Sequence, residues 1–143
     1  MTLFLPDANV LINALRQDAE AHTACRSWLL DATRAGAQIG LCEPVETAII
    51  RISTLPRVSF VSMEAVLGFW LEDLWSYPAT RRLAATPAQN RLFARLLQDL
   101  GLIGNDVNDA WLAALAIDHG ATLVSLDRGF SRFPGLHWLN PAA

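Results

Sequence analysis

An apolar run that stops abruptly at an acid is the feature that most restricts this fold, and it occurs twice. Leu3-Phe4-Leu5-Pro6 runs into Asp7, and Ala121-Thr122-Leu123-Val124-Ser125-Leu126 runs into Asp127. Short apolar runs of this kind read as strands buried on both faces, the pattern of a parallel sheet covered by helices. In such sheets ligands gather at the carboxyl ends of the strands. Both acids are therefore expected at the same sheet edge. A third acid, Asp109, opens the apolar segment Ala110-Trp111-Leu112-Ala113-Ala114-Leu115-Ala116-Ile117. Apolar nearly all round, this segment predicts a helix buried in the domain or at a subunit interface. Asp109 would then sit in its first turn, where the helix dipole favours an acid.

The rest of the chain alternates helix and strand. A first strand is predicted over Thr2–Leu5, then a short helix over Asn9–Leu15. His22–Arg34 reads as a helix with Cys25, Trp28, Leu29 and Ala32 on one face and Gly36 beyond its end. Gln38–Cys42 reads as a strand, and Pro44 as the first turn of a helix running to Ser53. Pro56 and Arg57 mark a break. Ser62 is the expected N-cap of a helix whose apolar face is Val66, Leu67, Trp70, Leu71 and Leu74. Arg82–Ala84 is a short edge strand, and Pro87–Leu100 a helix stopped by Gly101. The Asp109 helix ends at Gly120. Thr122–Leu126 and His137–Leu139 complete the strands. Strands separated by helices imply an α/β domain with a central, mainly parallel sheet and helices on both faces.

A chain of 143 residues fits one domain, 1–143, with a single core. No stretch is long and apolar enough to span a membrane, and the N-terminus lacks the pattern of a secretory leader. Cys25 and Cys42 make neither a disulfide scaffold nor a zinc spacing. They read as ordinary core thiols, and a reduced, cytoplasmic compartment is expected. The net charge of −3 argues against a generic basic nucleic-acid binder. All 11 basic residues are nevertheless arginines, whose guanidinium group binds phosphate in a bidentate fashion.

Each acid has a purely structural alternative. Asp7 can cap a helix starting at Ala8 or Asn9, Asp109 can be an ordinary first-turn acid, and Asp127 can cap the turn Asp127-Arg128-Gly129. Jointly they suggest a shared site, because all three occur at the ends of elements that would be neighbours. Glu46, within Pro44-Val45-Glu46-Thr47-Ala48-Ile49-Ile50, is a fourth candidate, and if buried it needs a partner such as Arg51. Glu43 is its rival, although a place before Pro44 suits a capping or loop residue. Asp106, three residues before Asp109, either caps the helix or supports the site. Carboxylates without His or Cys suit Mg2+ or Mn2+, and these ions support hydrolysis at phosphorus.

The chain resembles PIN-domain ribonucleases, specifically the VapC toxins of bacterial toxin–antitoxin pairs. Four pieces carry the resemblance: Asp7-Ala8-Asn9-Val10-Leu11-Ile12; Ile50-Arg51-Ile52-Ser53-Thr54-Leu55-Pro56-Arg57-Val58; Asn108-Asp109-Ala110-Trp111-Leu112-Ala113-Ala114-Leu115-Ala116 with His119-Gly120-Ala121; and Ser125-Leu126-Asp127-Arg128-Gly129-Phe130-Ser131-Arg132-Phe133-Pro134-Gly135-Leu136. Their order and spacing span nearly the whole chain.

The resemblance implies a three-layer α/β/α PIN-like domain and a Mg2+- or Mn2+-dependent endoribonuclease that cuts structured RNA, commonly transfer or ribosomal RNA. It implies active-site roles for Asp7, Glu46, Asp109 and Asp127, with Asp7, Asp109 and Asp127 as metal ligands. It gives supporting roles to Asn9 and Ser125. It further implies a homodimer and a cognate VapB-type antitoxin whose C-terminal segment fills a groove, with the Trp70–Trp75 segment as one candidate wall. Plain core packing is the alternative for those tryptophans. Arg81, Arg82, Arg91 and Arg95 are the best cluster for RNA phosphates, with a solvated face as the alternative. One departure stands out. The family often carries a second acid in a D-x-D-F pattern, and here that position is Gly129.

Three other functions compete. A catalytically silent PIN-like module would bind RNA or a partner. A phosphotransferase using Asp7 as nucleophile would ordinarily need a second acid where Asn9 stands. A DNA-structure nuclease would need a more basic clamp.

Overall fold

The computed structural model describes residues 2–57 and 61–143. Val58, the last residue of the second family-like piece, lies outside them. Five strands form one sheet: β1 (Leu3–Pro6), β2 (Gln38–Leu41), β3 (Thr80–Arg82), β4 (Thr122–Val124) and β5 (His137–Leu139). Their order is β3-β2-β1-β4-β5, and every pairing is parallel. The helices are α1 (Ala8–Leu15), α2 (His22–Arg34), α3 (Glu43–Ser53), α4 (Met63–Gly68), α5 (Pro87–Leu100) and α6 (Asp106–His119).

Strand order decides where a site can form. From β1 the chain winds outward through β2 and β3, then returns to place β4 on the other side of β1. The winding therefore reverses between β1 and β4. At such a switch point the connections leave in opposite directions and open a crevice at the carboxyl ends. Pro6 pairs with Val124, the last residues of their strands, so Asp7 and the Ser125–Asp127 segment both emerge at this crevice.

Helix α6 lines one side of the crevice. Ala110, Ala113, Ala114, Leu115 and Ala116 are fully buried, and the small side chains let the helix backbone approach its neighbours closely. The helix starts at Asp106, a turn earlier than Asp109. Its N-cap is Asn105, which makes no side-chain capping bond. Asp106 is thus a first-turn residue rather than the cap, and Asp106 and Asp109 both lie where the dipole favours a negative charge.

The tryptophan segment departs from a regular helix. After α4 the chain continues as a π-helix over Phe69–Leu74, with the Trp75 amide bonded to the Trp70 carbonyl at 3.1 Å. In an α-helix, residues five apart point about 140° from each other. The wider i→i+5 turn brings Trp70 and Trp75 onto one side. Helical periodicity alone does not reveal this turn, in which both indole N–H groups reach the same Glu46 oxygen.

The edge strand falls two residues earlier than Arg82–Ala84, at Thr80–Arg82. The Leu83 amide still continues the ladder to the Leu41 carbonyl at 2.8 Å. Leu83 packs over Gly40, where a Cβ atom would stand 2.7 Å from its Cδ1. Cys25 and Cys42 are free and buried, and burial pushes both thiols up to about 11. Among the described residues no helix is long and apolar enough to cross a membrane.

Candidate active site

Asp7 is the first residue beyond β1, and its two oxygens have separate tasks. Oδ1 accepts the Ala8 amide at 2.7 Å, which makes Asp7 the N-cap of α1. Oδ2 accepts the Ser125 hydroxyl at 2.9 Å. Capping therefore uses one oxygen and leaves the other at the switch point.

Ser125 is fully buried and links three segments. Besides donating to Asp7, its Oγ accepts Asn9 Nδ2 at 3.2 Å and the Asp127 amide at 3.1 Å. Asn9 Oδ1 in turn accepts the Leu126 amide at 3.2 Å. These bonds tie the first turn of α1 to the chain leaving β4. Beyond β4 the Ser125 amide still bonds to the Leu139 carbonyl of β5 at 3.0 Å, and the strand stops short of Leu126 because the Leu126 and Asp127 amides bond to side chains instead.

Asp127 caps a 3-10 turn over Arg128–Arg132, with Oδ1 accepting the Gly129 amide at 2.8 Å. Asp109 reaches in from the first turn of α6. Burial pushes its carboxyl up to about 6, and Asp127 and then Asp7 push in the same direction, against Arg132. The Asp7 carboxyl is also raised. Burial is the main cause, Asp127 adds to it, and the Ser125 and Ala8 hydrogen bonds oppose it. The three aspartates thus share one electrostatic field. A cleft of about 370 Å³ opens beside them, lined by Asp7, Asp109, Asn108, Trp111, Pro44, Val45, Ala48 and Arg51. They do not form a closed cage: among the described residues no three His, Cys, Asp or Glu side chains are arranged to hold an ion.

Glu46 does not line that cleft. It is 3% exposed, and its Oε2 accepts Trp70 Nε1 at 2.8 Å, Trp75 Nε1 at 3.0 Å and Arg82 at 2.7 Å. Its buried Oε1 has no hydrogen-bond partner. From the same helix, Ala48 and Arg51 face the cleft instead. The buried acid does have an ionic partner, but it is Arg82 and not Arg51.

This pairing gives Arg82 a structural role beside the one expected for it. Its guanidinium is held by Glu46 and lies 5.1 Å from the Trp75 ring centroid, while the side chain remains 43% exposed. Arg81, Arg91 and Arg95 are exposed, and none of them lines the cleft.

Arg132 is the residue that sequence reading did not single out. It ends the 3-10 turn and reaches Asp109 Oδ2 at 3.3 Å and Asp106 Oδ1 at 3.4 Å. Its position after Phe130, in the piece following Asp127, was the available signal. Nothing in that spacing showed which acids it would meet.

The PIN domain family matches residues 4–136. The ribonuclease VapC43 of Mycobacterium tuberculosis is 36% identical over 137 residues, covering 94% of this chain and 92% of that protein. VapC37 of the same organism is 33% identical over 145 residues, covering 96% of each. Among solved structures, VapBC2 from Rickettsia felis bound to a promoter DNA fragment superposes with a TM-score of 0.70 at 20% identity, covering 97% of this chain and 98% of the matched one. DNA-bound VapBC from Salmonella typhimurium gives 0.68 at 18% identity, covering 99% of each. These two likenesses establish the shared fold. The family match and the relatives' identity over nearly full length place the chain in the PIN-domain family, among the VapC ribonucleases.

Proposed function

We propose that this chain is the toxin of a type II toxin–antitoxin pair and acts as a metal-dependent endoribonuclease on structured RNA, with transfer or ribosomal RNA as the substrate class. One observation carries the reading: Asp7, Asp109 and Asp127 come from distant parts of the chain into one field, at the strand-order switch point where sheets of this kind bind ligands.

The donor set fits a hard divalent cation. All three candidate ligands are carboxylates, and two of them are raised because negative charge and burial coincide. Such a site gains from an added cation. Asp7, Asp109 and Asp127 would hold Mg2+ or Mn2+, which when bound supplies charge neutralisation and a readily deprotonated water for attack at phosphorus. The protein's own groups do the positioning. Ser125 fixes the Asp7 carboxylate, Asn9 fixes the segment that carries Asp127, and Arg51 stands exposed on the cleft wall, where a phosphate would pass.

The proposed partner is a VapB-type antitoxin. The superposing structures are VapBC complexes, and an acidic chain suits a basic partner segment. A homodimer is proposed for the toxin. The second reading, a silent PIN-like module, is favoured by Gly129 in place of the second acid and by the absence of a closed cage. Metal-free protein purified without antitoxin separates the two readings. Cleavage of folded transfer RNA that appears with Mn2+ and stops with EDTA supports the enzyme, whereas neither Mn2+ binding nor cleavage supports the silent module.

A further inference from the structure

Arg132 spans Asp106 and Asp109 at 3.4 and 3.3 Å and passes beside Gly129. Arg132 ends the 3-10 turn that Asp127 caps, and buried Phe130 and Phe133 anchor that turn in the core. The guanidinium lies 5.0 Å from the Phe133 ring centroid. It is therefore held from two sides and aimed at the acids.

Gly129 makes room for this arrangement. A Cβ atom at that position would lie 3.1 Å from Asp127 Oδ1 and 3.4 Å from Arg132 Nη1. A larger acidic side chain there would crowd both groups. Position 129 thus carries no side chain, and a cation stands beside the carboxylates of Asp106 and Asp109.

We propose that Arg132 serves as a built-in second cation, so that the site binds a single divalent ion and Arg132 supplies the positive charge a second ion would bring to Asp106, Asp109 and the RNA phosphate. This rests on the nuclease reading above. Arg132 and the ion bear like charges and share Asp109, so each weakens the other's hold. At the same time a fixed guanidinium beside the reacting phosphate stabilises charge as it develops. Removing Arg132 should thus tighten ion binding and slow cleavage. A residue that only supported the turn would weaken both.

The test is a Mn2+ titration of the full chain followed by calorimetry, with Arg132→Gln and Arg132→Lys compared with wild type, and cleavage of a folded transfer RNA measured on the same samples. Wild type is expected to bind one Mn2+ per chain. Arg132→Gln should bind it roughly tenfold tighter and cut more slowly, while Arg132→Lys stays near wild type in both. Binding of two Mn2+ by a wild type that cuts RNA would overturn the role of Arg132 alone, as would an unchanged or weaker affinity in Arg132→Gln. No Mn2+ binding and no cleavage by wild type would overturn the nuclease reading as well.

Discussion

Ser125 donates its hydroxyl proton to the Asp7 carboxylate at 2.9 Å across 118 positions of sequence. That bond joins the two arms of the switch point and offsets part of the effect of burying Asp7. Replacing Ser125 with Ala removes the donor to Asp7 and the acceptor for Asn9 and the Asp127 amide. The expected loss is about 1–3 kcal/mol of stability in urea unfolding, the usual range for stranding buried polar groups. Weaker Mn2+ binding should accompany it, because the Asp7 carboxyl rises further. Unchanged stability and Mn2+ affinity would remove Ser125 from the site.

The elevated Asp109 gives a pH signature. Its carboxyl titrates at about 6 in the folded chain, above its ordinary value of 3.8. The folded state therefore holds this proton more tightly than the unfolded state does. The resulting stability is complete below the unfolded value and is lost as pH rises through about 6. Metal-free protein should accordingly melt at a higher temperature at pH 5 than at pH 7, and Asp109→Asn should flatten that difference. Ion binding runs the other way, because a cation needs the deprotonated carboxylate. Mn2+ affinity should fall as pH drops from 7 to 5. Melting temperatures and Mn2+ titrations across that range check both trends.

Glu46 supplies a contrast between two burials of an acid. Its carboxylate is paired with Arg82 and accepts both indole N–H groups, so it links α3, the π-helix and β3. Glu46→Ala should destabilise the chain by about 2–4 kcal/mol, since it leaves those donors without an acceptor. Glu46→Gln keeps one oxygen acceptor and should cost less. RNA cleavage by the folded fraction of Glu46→Gln should stay near wild type. A large fall in cleavage by fully folded protein would return Glu46 to the catalytic group.

Gly40 tests the packing beside the edge strand. A methyl group there meets Leu83 Cδ1 and Cγ, at 2.7 and 2.9 Å, and Leu83 is itself buried. Gly40→Ala is expected to cost about 1–3 kcal/mol from overpacking, read as a lower urea midpoint at unchanged slope. Leu83→Val together with Gly40→Ala should recover part of the loss.

The outline of the fold was readable because hydrophobic period, turn residues and element order all point the same way. Leu3–Pro6 and Thr122–Val124 are strands, and Asp7 and Asp127 stand just beyond them. What sequence could not show was the direction of side chains on α3. Glu46 and Ala48 are two residues apart and about 200° apart around a helix. One of them faces the tryptophans and the other the cleft. The neighbours that decided this come from β3 and the π-helix, 24 to 36 positions downstream. The π turn does not show in helical periodicity either. Arg132 escaped notice because its partners, Asp106 and Asp109, lie on another element.

The most direct test of the shared-carboxylate site is the rate at which antitoxin-free chain cuts folded transfer RNA in Mn2+, measured for wild type, Asp7→Asn and Asp109→Asn with folding checked by circular dichroism. The predicted result is a fall of at least about a hundredfold in each variant with the fold retained. Cleavage by either variant at the wild-type rate would contradict a catalytic site built on Asp7 and Asp109.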